Sequence, residues 1–127
     1  MSAILLVDDD GAFRTAVCRA LRAAGHAVEE AANGREALKF IAAETPDILI
    51  TDILMPNTDG IELTSAVRQA HPAVRILAIS GRSQLGTVDL LALASMLGAD
   101  ATLAKPFAPE QLLEKVAALG DAKADLA

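Results

Sequence analysis

Apolar residues recur along the chain in two rhythms, short unbroken runs and longer stretches spaced by threes and fours. Ala3-Ile4-Leu5-Leu6-Val7 is the first unbroken run. Apolar at successive positions, it is covered on both faces when extended, as an interior strand of a parallel sheet is. Phe13, Ala16, Val17, Ala20, Leu21 and Ala24 follow at helical spacing, and Gly25 ends that helix. Ala27 to Ala31 reads as a weak second strand. Asn33-Gly34 opens a second helix, whose Ala37, Leu38, Ile41 and Ala42 are expected to face inward. Ile48-Leu49-Ile50-Thr51 is a third strand that ends at Asp52. A loop with Pro56 and Gly60 leads to a helix carrying Ile61, Leu63, Ala66, Val67 and Ala70. After His71-Pro72, Val74 to Ile79 forms a fourth strand. The pattern then predicts a helix from about Thr87 to Leu97 and a short fifth strand near Ala101 to Ala104. Pro109 opens a last helix with Leu112, Leu113, Val116 and Leu119 as its stripe.

Five strands alternating with five helices predict an α/β fold, a doubly wound parallel sheet with right-handed crossovers and helices on both faces. At 127 residues the chain has room for one core. The domain is expected over residues 1–120, with 121–127 a polar, alanine-rich tail that frays and is too short for an output domain. Ligands of such sheets sit beyond the carboxyl ends of the strands.

Composition narrows the function. Lys and Arg number 11 against 17 Asp and Glu, a net charge of −6, which argues against a nucleic-acid clamp built on clustered basic residues. Aromatic residues are 2% of the chain, with no Trp or Tyr, too few for a site that stacks flavins, bases or sugars. Cys18 is the single cysteine, so an internal disulfide and a cysteine-based zinc site are excluded. A reducing, cytoplasmic location is therefore expected. The first apolar run is five residues long with no basic residue before it, short of a signal peptide or a membrane span.

The strand ends carry the chemistry. The first strand ends in Asp8-Asp9-Asp10 and the third in Asp52. If these strands are neighbours, Asp8, Asp9 and Asp52 converge. Two carboxylates about 4 Å apart repel by roughly 4 kcal/mol at an effective dielectric near 20, so such a cluster holds a proton or binds a cation. Oxygen ligands without sulfur or imidazole suit Mg²⁺. Helix capping accounts for one of the aspartates, best Asp10. The fourth strand ends in Ser80-Gly81, where Gly81 allows close backbone approach, and the fifth in Lys105-Pro106-Phe107. Acid, acid, hydroxyl and lysine thus terminate strands one, three, four and five. A carboxylate beside Mg²⁺ can attack a phosphoryl group to form an acyl phosphate. Lys105 and the metal would offset charge on the transferring oxygens, and Ser80 would donate a hydrogen bond. Asp52 is the best nucleophile because the Leu54-Met55-Pro56 loop leaves it open.

These residues resemble the response regulator receiver domain of two-component signalling. The matching segments are Leu6-Val7-Asp8-Asp9-Asp10, Asp52-Ile53-Leu54-Met55-Pro56-Asn57-Thr58-Asp59-Gly60, Ser80, and Gly98-Ala99-Asp100-Ala101-Thr102-Leu103-Ala104-Lys105-Pro106-Phe107. The resemblance implies a flavodoxin-like, five-stranded sheet of order 2-1-3-4-5. It makes Asp52 the phosphoacceptor, fed by a sensor histidine kinase or a histidine phosphotransfer protein. It implies Mg²⁺ bound directly by Asp9, Asp52 and the backbone carbonyl of Leu54, and by Asp8 through water. Ser80 and Lys105 would contact the phosphoryl oxygens, and the Lys105-Pro106 bond is expected to be cis. The protein would be a signalling phosphoprotein rather than an enzyme, catalysing only its own phosphorylation and dephosphorylation.

One position departs from the family pattern. Where the family usually carries Tyr or Phe on the fifth strand, this chain has Thr102, so the usual inward swing of a ring cannot report phosphorylation. The expectation is that Ser80 still moves inward and shifts the loop after it, with the fourth helix carrying the signal. That helix, Val88 to Leu97, has more apolar residues than one buried stripe uses, and the surplus is a candidate surface for a downstream protein or a second subunit of a weak homodimer. Arg14, Arg19 and Arg22 read as a solvated face, His26 and His71 as surface residues, and Cys18 as packing.

Two rivals remain at this level. Val7-Asp8-Asp9-Asp10-Gly11 also fits the opening of haloacid-dehalogenase-like phosphatases, with Asp8 as nucleophile, but that family requires cap insertions and later acidic ligands. A flavodoxin-like binding module would need a hydroxyl-rich phosphate loop and aromatics around a flavin.

Overall fold

A computed structural model of the chain describes residues 2–55, 59–81, 84–85 and 88–126. Five parallel strands form its sheet: β1 (Ala3–Val7), β2 (Ala27–Ala31), β3 (Ile48–Asp52), β4 (Arg75–Ser80) and β5 (Ala101–Ala104). They lie in the order β2-β1-β3-β4-β5, the 2-1-3-4-5 arrangement expected. Five helices connect and close them: α1 (Gly11–Ala23), α2 (Gly34–Ala43), α3 (Asp59–Ala70), α4 (Leu90–Leu97) and α5 (Pro109–Leu126).

The unbroken apolar runs have the burial they predicted, since alternate residues of one strand feed opposite faces of the sheet. Ile4, Leu6, Ile48, Ile50, Leu77 and Ile79 pack with residues of α1 and α5. Leu5, Val7, Leu49 and Ile76 pack on the other face against Ala37, Ile41, Leu63 and Val67 of α2 and α3. Each fully buried Leu or Ile contributes about 1.5–3 kcal/mol relative to exposure. Both faces are needed to hold β1 and β3 in register, Val7 opposite Thr51, and that register places the two acidic strand ends side by side.

The helix stripes are narrower than the spacing suggested. In α1 the buried residues are Val17, Cys18 and Leu21, while Ala16 and Ala24 are exposed. In α2, Gly34, Ala37 and Ile41 are buried, whereas Leu38 is 43% exposed and Ala42 is also outside. Alanine gains little from burial, so its positions do not orient a helix; one long residue per turn does. Asp10 is the N-cap of α1, its carboxylate accepting from the Phe13 N–H at 3.1 Å, and Gly25 (φ +97°) ends the helix in the left-handed region.

The fourth helix starts later than expected. Gln84–Leu85 pairs antiparallel with Val88–Asp89, so Val88 belongs to a small strand pair and the helix begins at Leu90. Asp89 caps it, accepting from the N–H groups of Leu91 and Ala92, both at 3.1 Å. An acidic residue directly before an apolar run is the signal that places this start. The last helix continues past residue 120, through the segment expected to fray, to Leu126. Among the described residues no helix is long and apolar enough to cross a membrane.

Cys18 is buried in the α1 face of the core, consistent with packing. Burial, followed by the charge of Glu30, pushes its thiol up to about 11. The expected result is that a disulfide reagent leaves native Cys18 unmodified at pH 8 and modifies it stoichiometrically in urea. The raised value also means that the thiol favours the folded state below the ordinary thiol range, and that this contribution is lost as pH rises through about 11. Rapid labelling of the native protein would contradict the burial.

Candidate functional site

Four strand ends build the site at the carboxyl edge of the sheet. Because β1 and β3 are neighbours, Asp8 and Asp52 stand together at the ends of their strands, and Asp9 follows on the exposed side. One carboxylate oxygen from each of Asp8, Asp9 and Asp52 lies within 4.8 Å of the other two. Asp8 is 1% exposed and Asp52 7%, so two of the three charges are held out of water. That burial is deeper than the open loop Leu54-Met55-Pro56 suggested: Met55 is itself buried, and Pro56 lies outside the described residues, as do Asn57 and Thr58.

Every oxygen of the two buried carboxylates has a partner. Asp8 Oδ1 accepts from the Asp10 N–H and Asp52 Oδ1 from the Leu54 N–H, each at 2.9 Å. The second oxygens face one ammonium: Lys105 Nζ donates to Asp8 Oδ2 at 3.0 Å and to Asp52 Oδ2 at 2.9 Å. Burial alone would lower the Lys105 pKa; hydrogen bonds to Asp52 and Asp8, reinforced by their charges, outweigh it and hold the value above the ordinary lysine range. Lys105 therefore stays charged.

Ser80 is buried at the end of β4, and its carbonyl accepts from the Lys105 N–H at 2.8 Å, which ties β4 to the start of the Lys105 segment. The Lys105-Pro106 peptide is cis, as expected. A Cβ on Gly81 would meet the Lys105 stem at 3.6 Å, an ordinary contact, so the expected need for glycine there is not found. Thr102 pairs with Ala78 in β5 and is half-buried, and the loop after Ser80 falls largely outside the described residues.

Sequence reasoning missed Arg14. Its Nη1 donates to the Asp8 carbonyl at 2.6 Å and its Nε to Glu30 at 3.1 Å, so it ties the first turn of α1 to the ends of β1 and β2 instead of lying on a solvated face. A basic residue one turn into a helix that follows an acidic strand end is the available signal. Arg22 is exposed beside Glu30. His26 is half-buried, with Nδ1 accepting from the Ser2 N–H at 3.1 Å, and burial lowers its pKa.

Three carboxylates against one ammonium leave the rim with excess negative charge. The donor set is all oxygen, partly buried and open on the Asp9 side, which fits a hard divalent cation such as Mg²⁺. Lys105 and such a cation would draw on the same carboxylates, and this gives a test. Lys105→Met is expected to lower metal-free stability by up to about 3 kcal/mol, the low end for breaking a buried pair. Mg²⁺ should then stabilise the variant more than the wild type, because its competitor is gone. Denaturant titrations in EDTA and in Mg²⁺ measure both; a smaller Mg²⁺ effect in the variant would show that the two cations do not compete.

Comparisons with known proteins point one way. The family profile described as the response regulator receiver domain matches residues 4–117. The response regulator MprA of Mycolicibacterium vanbaalenii is 40% identical over 116 residues, 91% of this chain and 49% of that protein. The chain thus spans about half the length of the curated relatives it matches. The CheY-like receiver domain protein of Methanospirillum hungatei superposes with a TM-score of 0.92 at 30% identity, covering 100% of this chain and 99% of that one. The chemotaxis protein CheY4 of Vibrio cholerae superposes at 0.83 with 34% identity, covering 94% and 98%.

Proposed function

The chain belongs to the response regulator receiver domain family, the CheY-like proteins of two-component phosphorelays, and on that premise we propose that Asp52 accepts a phosphoryl group from a phosphohistidine. The donor is a sensor histidine kinase or a histidine phosphotransfer protein, met in the cytoplasm. One carboxylate oxygen of Asp52 attacks phosphorus; the O–P bond forms, the histidine N–P bond breaks, and the imidazole leaves with the electron pair. The Leu54 N–H holds Oδ1 and Lys105 holds Oδ2, so the carboxylate is oriented before the donor arrives. As the phosphoryl group transfers, Lys105 passes a hydrogen bond from Asp52 to a phosphoryl oxygen, and the Ser80 hydroxyl donates to another.

Mg²⁺, held by Asp9, Asp52 and the Leu54 carbonyl directly and by Asp8 through water, would supply neutralisation of charge on the transferring oxygens. The protein catalyses only its own phosphorylation and dephosphorylation. The downstream partner is proposed to read α4, where Met96 is 84% exposed, and the chain to act as a monomer or weak homodimer.

The observation that carries this reading is the meeting of Asp8, Asp52 and Lys105 at one rim within hydrogen-bond reach, with an Asp9 oxygen within 4.8 Å of oxygens of the other two aspartates. Asp8 is a poorer alternative nucleophile because it is the more deeply covered of the two, 1% exposed against 7% for Asp52. Neither a haloacid-dehalogenase-like phosphatase nor a flavodoxin-like module is favoured. Incubation with acetyl phosphate and Mg²⁺ should give one hydroxylamine-sensitive label on Asp52, and p-nitrophenyl phosphate should turn over negligibly. A label on another residue would overturn the assignment.

A further inference from the structure

The ammonium of Lys105 has three N–H bonds, and two of them go to Asp8 and Asp52. On its remaining side lies an aromatic face: Nζ sits 3.9 Å from the centroid of the Phe13 ring, well inside the range of a cation–π contact. The ring is itself held. Its backbone N–H donates to the Asp10 carboxylate, Arg14 next to it ties the same turn to the end of β1, and the Phe107 ring meets it edge-on at 5.9 Å and 84°. Phe13 and Phe107 also pack on the edge of the α1–α5 core, so both rings are anchored.

We propose that Phe13 is a positioning residue for Lys105: its ring face, buttressed by Phe107, fixes the ammonium against the two carboxylates and keeps it poised for the incoming phosphoryl group. The inference rests on the phosphoacceptor reading above and extends it to a residue that sequence inspection assigned to the helix stripe. Its physical content is directional. Water on the open side of Lys105 would compete for the third N–H and let the long side chain sample other rotamers. A ring there offers weak attraction, excludes water and leaves the carboxylates as the strong partners. The depression lined by Phe13, Gly81, Lys105, Pro106 and Phe107 is open to solvent, and the Lys105 side chain keeps 21% exposure, so the ring covers one side of the ammonium and leaves the other accessible.

The test compares Phe13→Leu, which keeps apolar volume without a ring face, with Phe13→Tyr, which keeps the face. Phe13→Leu is expected to slow maximal acetyl phosphate labelling about fivefold, with the half-saturating acetyl phosphate concentration unchanged. Phe13→Tyr should restore the rate to within about twofold. In a Lys105→Met background Phe13→Leu should have no further effect, because the group it acts through is gone; a merely structural role would persist there. NMR of the unphosphorylated protein gives an independent readout: the Lys105 Cε protons should be shifted upfield by the ring and return to ordinary values in Phe13→Leu. If Phe13→Leu does not fold, Phe13→Met takes its place. Wild-type labelling in the leucine variant, an equal loss in the Lys105→Met background, or unshifted Lys105 protons in the wild type would overturn the proposal. Wild-type protein that takes no label on Asp52 would instead overturn the phosphoacceptor reading, while the NMR arm still decides the position of the ring.

Discussion

Asp52→Asn is expected to lower Mg²⁺-dependent labelling by acetyl phosphate at least about a hundredfold, since an amide oxygen is not a competent nucleophile toward phosphorus. The loss should come without unfolding. The Asp52 charge is attracted by Lys105 at 2.9 Å and repelled by Asp8 and Asp9 within 4.8 Å, and these effects nearly cancel. The side-chain amide oxygen of the variant can still accept the Leu54 N–H. The metal-free unfolding free energy is therefore expected to stay within about 1 kcal/mol of wild type, while stabilisation by Mg²⁺ shrinks because one oxygen donor is weakened. Phosphorylation assays and denaturant titrations with and without Mg²⁺ check the two halves separately. Persistent labelling of the variant would move the acceptor elsewhere, and a large loss of metal-free stability would mean that the Lys105 pair dominates the cluster.

The second large effect is expected at Gly60, in the first turn of α3. A Cβ built there would overlap the Asp52 carbonyl and lie 2.7 Å from both the Cα and the carbonyl oxygen of Ile53. All three obstacles are backbone, so no side chain can swing away. Gly60 is required for the space it leaves rather than for its torsion angles. Gly60→Ala must therefore separate the start of α3 from the end of β3. It should cost about 3 kcal/mol, the upper end for overpacking, against a total of roughly 5–15 kcal/mol for a domain. Because the displaced backbone carries Asp52, labelling should also slow by about an order of magnitude at a temperature where the variant is still folded. Gly25→Ala is the contrast: nothing lies within 4 Å of its Cβ, so only the strain of its positive φ, about 1 kcal/mol, applies. Equal stability of the two variants would show that α3 and β3 do not approach so closely.

The alternation of runs and stripes, the five strand ends and the identity of the acidic, hydroxyl and lysine residues on them were legible because each is a local property. An unbroken apolar run predicts a strand covered on both faces from its own residues, and Asp89 before an apolar run marks a helix start even where the stripe alone placed it near Thr87. The stripes of α1 and α2 were over-read at Ala16, Ala24, Leu38 and Ala42, since periodicity says which residues share a face and not how far that face turns toward the sheet.

What one chain segment cannot encode is a meeting of distant segments. Arg14 on the Asp8 carbonyl, the Phe13 ring over an ammonium 92 positions away in the chain, and the backbone of β3 against Gly60 depend on how α1, α3 and the Lys105 segment dock on the sheet. Residue types pointed to a cation and a phosphoryl group at this rim. Only the packing of both sheet faces, by setting β1 beside β3 and β5 beside β4, decided that one lysine reaches two carboxylates at once, because hydrogen-bond distances are set by tertiary register and not by spacing along the chain.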